Sequence, residues 1–215
     1  MSDAVKDERE IREEICAVGR RLYELFMVAG NDGNISARVG DDEVLITPSG
    51  VSKGLLKPEI MIRMRVDGEI LDAPQGYRPS SECHIHLVVY QTRPEIGAVV
   101  HAHPATATGM AVAGVSMEKP FLPEGIVRIG PVPLAPYTLP GGSELADSVR
   151  PYVHVGNAVL MGNHGVLSYD RTLWGAQANM ETVELNARML LAAMQFGNVN
   201  YLSDEDVAAL KARYL

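Results

Sequence analysis

The sequence predicts an α/β fold. Three observations predict it: apolar stripes of helical period near both ends, short β-branched runs between them, and a central helix framed by serines and a proline. With 215 residues, 47% hydrophobic and 21% charged, the composition is globular, and the length suits one domain over residues 1–215 with a sizeable core. The formal net charge of -8 argues against a broad nucleic-acid footprint, so an acidic small molecule would need a local site. Acidic residues crowd the N-terminal stretch and no run approaches the roughly 18 apolar residues of a membrane span. The expectation is a soluble cytoplasmic protein with no membrane contact. Cys16 and Cys83 read as reduced thiols packed in helices.

Each element has its own signal. Ile11, Ile15, Val18, Leu22 and Leu25 recur at four-three spacing and predict a helix over 4–29, closed by Gly30. A turn at Gly30-Asn31-Asp32-Gly33 precedes a strand from Ile35 to Val39. Glu43 to Thr47 reads as its hairpin partner, ended by Pro48-Ser49-Gly50. Residues 60–75 form a strand pair around Asp67-Gly68. Ser80 or Ser81 caps the next helix, Glu82 falls in its first turn, and Pro94 ends it. His84 and His86 lie two apart on that helix, hence on different faces, and are not read as ligands.

Ala98-Val99-Val100 reads as a buried strand running into His101-Ala102-His103-Pro104. A small-residue helix over 104–113 follows. The Pro-rich stretch 121–139 shows strand pieces at Ile126-Val127-Arg128-Ile129 and Val132-Pro133-Leu134. Gly141-Gly142-Ser143 opens a helix to about Tyr152. Ala158–Met161 and Val166–Ser168 read as strands on either side of a tight turn, Gly162-Asn163-His164-Gly165. Residues 171–196 carry a long amphipathic helix, and Ser203 opens a last one ending at Tyr214-Leu215.

Residues two apart on a strand project from one face, so His101 and His103 point together at a strand end. Two converging imidazoles suit a borderline-soft metal, although HxH alone also fits two exposed loop histidines. His164, at another strand end, is the third imidazole such a site needs. The Asn34 amide, the Ser49 hydroxyl and the Gly50 N–H suit an anion, as do Ser80 and Ser81 at a helix start. Each of these also reads as an ordinary turn or cap.

Together, the GNxS of Gly33–Ser36 with the TPSG of Thr47–Gly50, the SSE of Ser80–Glu82, the HAHP of His101–Pro104 and the NHG of Asn163–Gly165 resemble the class II aldolase superfamily. That superfamily includes L-fuculose-1-phosphate aldolase and L-ribulose-5-phosphate 4-epimerase, and the resemblance covers roughly residues 8–213. It implies a three-layer α/β/α sandwich with a mainly antiparallel central sheet. It further implies a homotetramer with active sites at subunit interfaces. Metal ligation is implied for His101, His103, His164 and Glu82, one divalent ion per chain, zinc foremost, with manganese and cobalt as alternatives. Glu82 would double as general acid/base, and Asn34, Ser49, Gly50, Ser80 and Ser81 would bind a sugar phosphate. The implied reaction is reversible cleavage of a ketose 1-phosphate to dihydroxyacetone phosphate and an aldehyde. A 4-epimerase, a methylthioribulose-1-phosphate dehydratase and a sugar-acid phosphate decarboxylase are alternatives; a non-enzymatic, adducin-head-like interaction module is another. The family's tyrosine that moves a proton at the aldehyde oxygen has no counterpart in 115–130. Leu122 stands there in an ungapped match, and Glu124 is the nearest acid that could replace it. Tyr214 could stand in for the tyrosine of the family's C-terminal tail.

Overall fold

An eight-stranded sheet runs through the computed structural model, which describes residues 7–214. Its strands are β1 (Asn34–Arg38), β2 (Glu43–Ile46), β3 (Ile62–Arg65), β4 (Ile70–Asp72), β5 (Ala98–Ala102), β6 (Leu134–Ala135), β7 (Ala158–Met161) and β8 (Gly165–Asp170). The order across the sheet is β4-β3-β2-β1-β5-β8-β7-β6. Neighbours are antiparallel except β6 and β7, which run parallel.

Seven α-helices are described: α1 (Glu8–Glu24), α2 (Cys83–Thr92), α3 (Ala105–Val112), α4 (Pro123–Arg128), α5 (Ser143–Val149), α6 (Leu173–Gln195) and α7 (Asp204–Tyr214). The sheet is covered on both faces, giving three layers. Ala98, Val100 and Ala102 of β5 pack into one core with α1, α3 and α6. Val99, between them, faces the opposite core with α2 and α5. This is the period-two alternation of a strand buried on both sides. Ile11, Ile15, Val18 and Leu22 of α1 are buried against the first core, each contributing about 1.5–3 kcal/mol of burial free energy.

Three expectations are corrected. The first helix ends at Glu24 instead of running to residue 29, because Phe26 adopts φ 57° and the chain folds back so that Met27 and Val28 enter the core. The expected residues 4–6 lie outside the described residues. Ile126-Val127-Arg128-Ile129 belongs largely to α4: Pro123 opens a helical turn and only Ile126 and Ile129, three apart, are buried. At α2 the N-cap is Glu82, not a serine, and the Ser80 hydroxyl instead accepts from the Glu82 N–H.

Candidate metal centre and active site

β5 pairs with β1 on one side and β8 on the other, and this places the site. His101 follows the parity of Val99 and faces α2, fully buried. His103 follows just past the strand, its N–H donating to the Met27 carbonyl (2.8 Å). The early end of α1 is what delivers that carbonyl. His164 sits in the β7–β8 turn, after Asn163 at φ 53°. The three ring centroids lie 4.9, 4.9 and 5.4 Å apart, and their ligating nitrogens all lie within 4.8 Å of one another.

Glu82 closes the cluster. Its Oε1 lies 3.0 Å from His164 Nε2 and its Oε2 lies 3.3 Å from His101 Nε2. Oε2 also accepts from Asn34 Nδ2 at 2.9 Å. Burial alone would raise the carboxyl pKa, but His101 and His164 outweigh it and hold the group well below the usual carboxylate range. Burial, then the neighbouring His101 and His164, pushes His103 down to about 4. That imidazole is neutral at physiological pH, the form that ligates metal.

The donor set fits a small divalent cation. The Val166 carbonyl accepts from His101 Nδ1 at 2.9 Å, which puts the ring proton there. The Nε2 lone pair of His101 therefore faces a carboxylate oxygen at 3.3 Å and His103 Nε2 at 3.2 Å. Lone pairs this close call for a positive charge between them: either a shared proton, the source of the lowered Glu82 pKa, or a divalent ion in its place. At zinc–nitrogen distances of about 2.0–2.1 Å, tetrahedral neighbours are themselves about 3.3 Å apart. Asp32 Oδ2 stands 3.7 Å behind His103 Nδ1.

The cleft above the cluster has a volume of about 350 Å³. Asn34, Ser49, Gly50, Ser80, Ser81, Glu82, His103 and His164 all line it, and His101 lies buried beneath. The TPSG loop reaches the SSE segment by backbone pairing: Ser49 N–H donates to Arg78 and Ser80 N–H to Thr47. Glu124 and Tyr214 are not brought to it. Glu124 lies exposed in the first turn of α4 and Tyr214 is exposed on α7, and neither is among the cleft residues.

The sequence reading missed Lys53. It lines the cleft, is 1% exposed, and donates from Nζ to the carbonyls of Asn31 (3.1 Å) and Val51. Burial pushes its pKa down to about 8, partly offset by Asp32. Its one sequence signal was its place three residues after Gly50, which is weak without the fold. His86 stays out of the ligand cluster, as expected, but its buried ring contacts Asn34.

Comparison with known proteins gives the family. Residues 13–191 match the family model described as class II aldolase and adducin N-terminal domain. The chain belongs to this family. It is 31% identical over 216 residues to 3-oxo-tetronate 4-phosphate decarboxylase of Escherichia coli K12, covering 99% of this chain and 100% of the relative. It is also 31% identical over 205 residues to 5-deoxy-D-ribulose 1-phosphate aldolase of Bacillus thuringiensis, covering 94% of each. A solved structure of L-fuculose 1-phosphate aldolase superposes with a TM-score of 0.89 at 30% identity, covering 95% of this chain and 96% of that one. This class II aldolase-family chain thus shares 94% or more of its length with enzymes of two named chemistries.

Proposed function

We propose that the chain is a metal-dependent carbon–carbon lyase acting on a small phosphorylated sugar acid, as a decarboxylase. The observation that carries the lyase reading is the juxtaposition of Glu82 and three imidazoles beneath a cleft lined by Ser49, Gly50, Ser80 and Ser81. His101, His103, His164 and Glu82 would hold one divalent ion, zinc in preference to manganese or cobalt. Such an ion supplies a Lewis acid for the substrate's ketone oxygen. The phosphate would take N–H and hydroxyl donors from Asn34, Ser49, Gly50, Ser80 and Ser81, with Lys53 as the nearby cation.

A 3-oxo-tetronate 4-phosphate carries its carboxylate on the carbon beside its ketone. Breaking that bond releases carbon dioxide and leaves the electron pair on carbon. One proton taken up there from water gives dihydroxyacetone phosphate, and Glu82 is placed to relay it. Cleaving a ketose 1-phosphate leaves the same three-carbon fragment. It also requires a group that takes the proton from the departing aldehyde's hydroxyl. The decarboxylation needs no such group, which accords with the absence of tyrosine from 115–130. The end-to-end match to the decarboxylase supports the same choice.

Aldol cleavage of a 5-deoxypentulose 1-phosphate is the second reading, favoured by the deoxyribulose-phosphate aldolase relative. Dihydroxyacetone phosphate appears in both reactions, so the test must follow the other product. Apo protein is supplied with zinc, manganese or cobalt and offered 3-oxo-tetronate 4-phosphate and a panel of ketose 1-phosphates. Metal-dependent carbon dioxide release is the expected result. Aldehyde release from a ketose 1-phosphate would establish the second reading. Turnover of neither, in metal-replete protein, would overturn both. Glu82→Gln should lower turnover by about 10²–10⁴-fold.

A further inference from the structure

We propose that His86 is a positioning residue: as the Nε2–H tautomer it locks the Asn34 amide with its NH₂ group aimed at Glu82 and the cleft. This rests on the reading of Glu82 as the reacting carboxylate. On β1, Asn34 and Ser36 share the face opposite Ile35 and Ala37, which enter the α1 core. On α2, Glu82, His86 and Tyr90 follow at intervals of four and share one stripe. The two rows interlock into one buried chain of hydrogen bonds.

Each proton in that chain has only one workable place. Asn34 lies 2.9 Å from a Glu82 oxygen, and a carbonyl turned to a carboxylate would be repelled, so the NH₂ end faces Glu82. Asn34 Oδ1 therefore accepts, and its partner, His86 Nε2, must donate. The ring is fully buried and burial pushes its pKa down to about 3, so it is neutral and Nδ1 is a bare acceptor. Ser36 Oγ, 2.7 Å from Nδ1, donates to it. Ser36 then accepts from the Tyr90 hydroxyl at 2.8 Å. Arg38 pins the far end, with its guanidinium 4.8 Å over the Tyr90 ring and donating to the Tyr90 carbonyl. The chain runs in one direction, from Tyr90 to Glu82. It leaves the second Asn34 N–H for the cleft, which Asn34 lines.

Two experiments test this. In zinc-loaded protein with ¹⁵N-histidine, the His86 ring, assigned by subtraction of the His86→Gln spectrum, should show a protonated Nε2 and a bare Nδ1. A protonated Nδ1 would overturn the proposal without reference to any substrate. The second experiment compares His86→Leu with His86→Gln on the substrate the panel identifies. Glutamine can donate to Asn34 and accept from Ser36; leucine can do neither. His86→Leu should keep its zinc yet lose about 10–100-fold in kcat/KM, the usual scale for outer partners of such sites. His86→Gln should recover most of that loss. Equal impairment of both in folded, zinc-replete protein, or an unimpaired His86→Leu, would overturn the role. Glu82→Gln in the same assay separates the two failures. If Glu82→Gln stays active, the reading of the site is wrong. If it is inactive while His86→Leu is not, only the role of His86 falls. Should His86→Leu not fold, the tautomer measurement still decides.

Discussion

Gly165 stands where no methyl group fits. A Cβ there would lie 2.5 Å from His103 Cδ2 and 2.7 Å from the Ala102 carbonyl oxygen. Gly165→Ala should therefore displace the imidazoles and weaken metal binding by about 10–100-fold, measured by competition with a chromogenic chelator. Lys53 makes a second residue-scale prediction. Its pKa is lowered, to about 8, so its positive charge is present below that pH and lost as pH rises through it. KM for the phosphorylated substrate should rise above about pH 8, and Lys53→Met should show a raised, flatter KM with kcat little changed. The imidazoles were legible because His101 and His103 stand two apart at a strand end and His164 lies in a glycine-framed turn. Lys53 and His86 were not, since their importance lies in contacts with Asn31, Ser36 and Asn34, which are distant in sequence.

Among the elements, α3 depends on a helix far from it in sequence. Pro104 at its N-cap offers no side-chain acceptor, and the buried Glu184 of α6 takes the place of one. It accepts from the Thr106 N–H at 3.0 Å and the Ala107 N–H at 2.9 Å. Glu184→Leu would orphan these buried donors, and urea unfolding should show a loss of about 1–3 kcal/mol. Because α3 begins directly after His103-Pro104, the same variant should bind metal less tightly. Strong periodicity made α1 and α6 readable from sequence. α4 was misread because Ile126, Val127 and Ile129 carry β propensity while tertiary packing decides in favour of helix. Glu82 moved from first turn to N-cap for a similar reason: Ser80 is held by its N–H to Thr47 of the neighbouring loop.

At the scale of the whole molecule, no described helix is long and apolar enough to cross a membrane. Phe26, Trp174 and Phe196 stay exposed on the single chain. These aromatics suit contacts with further copies, and the homotetramer implied by the family resemblance is proposed on that basis. Light scattering should give a mass of four chains. Such an assembly would be the means by which Glu124 or Tyr214 could approach a cleft other than its own. A metal held by His101, His103, His164 and Glu82 would also stabilise the fold, because those residues come from β5 and its end, the β7–β8 turn and the start of α2. At a free ion concentration 1,000 times Kd this amounts to about 4 kcal/mol. Chelation should therefore lower Tm, and added zinc should restore it.

The α/β class follows from the sequence by itself, and the three-layer arrangement and the candidate site residues were legible through the family resemblance that its motifs carry. Period two and period 3.6 each act over a few residues, and motifs such as HAHP and SSE are contiguous. Only the tertiary structure decided what those side chains do to one another. Sheet order placed β1 and β8 on either side of β5, so Asn34 stands opposite His101 and Val166 beside it. The proton on His101 Nδ1, the tautomer of His86 and the lowered pKa of Glu82 arise from groups tens of residues apart. Burial and hydrogen bonding act through space, and no local pattern encodes them.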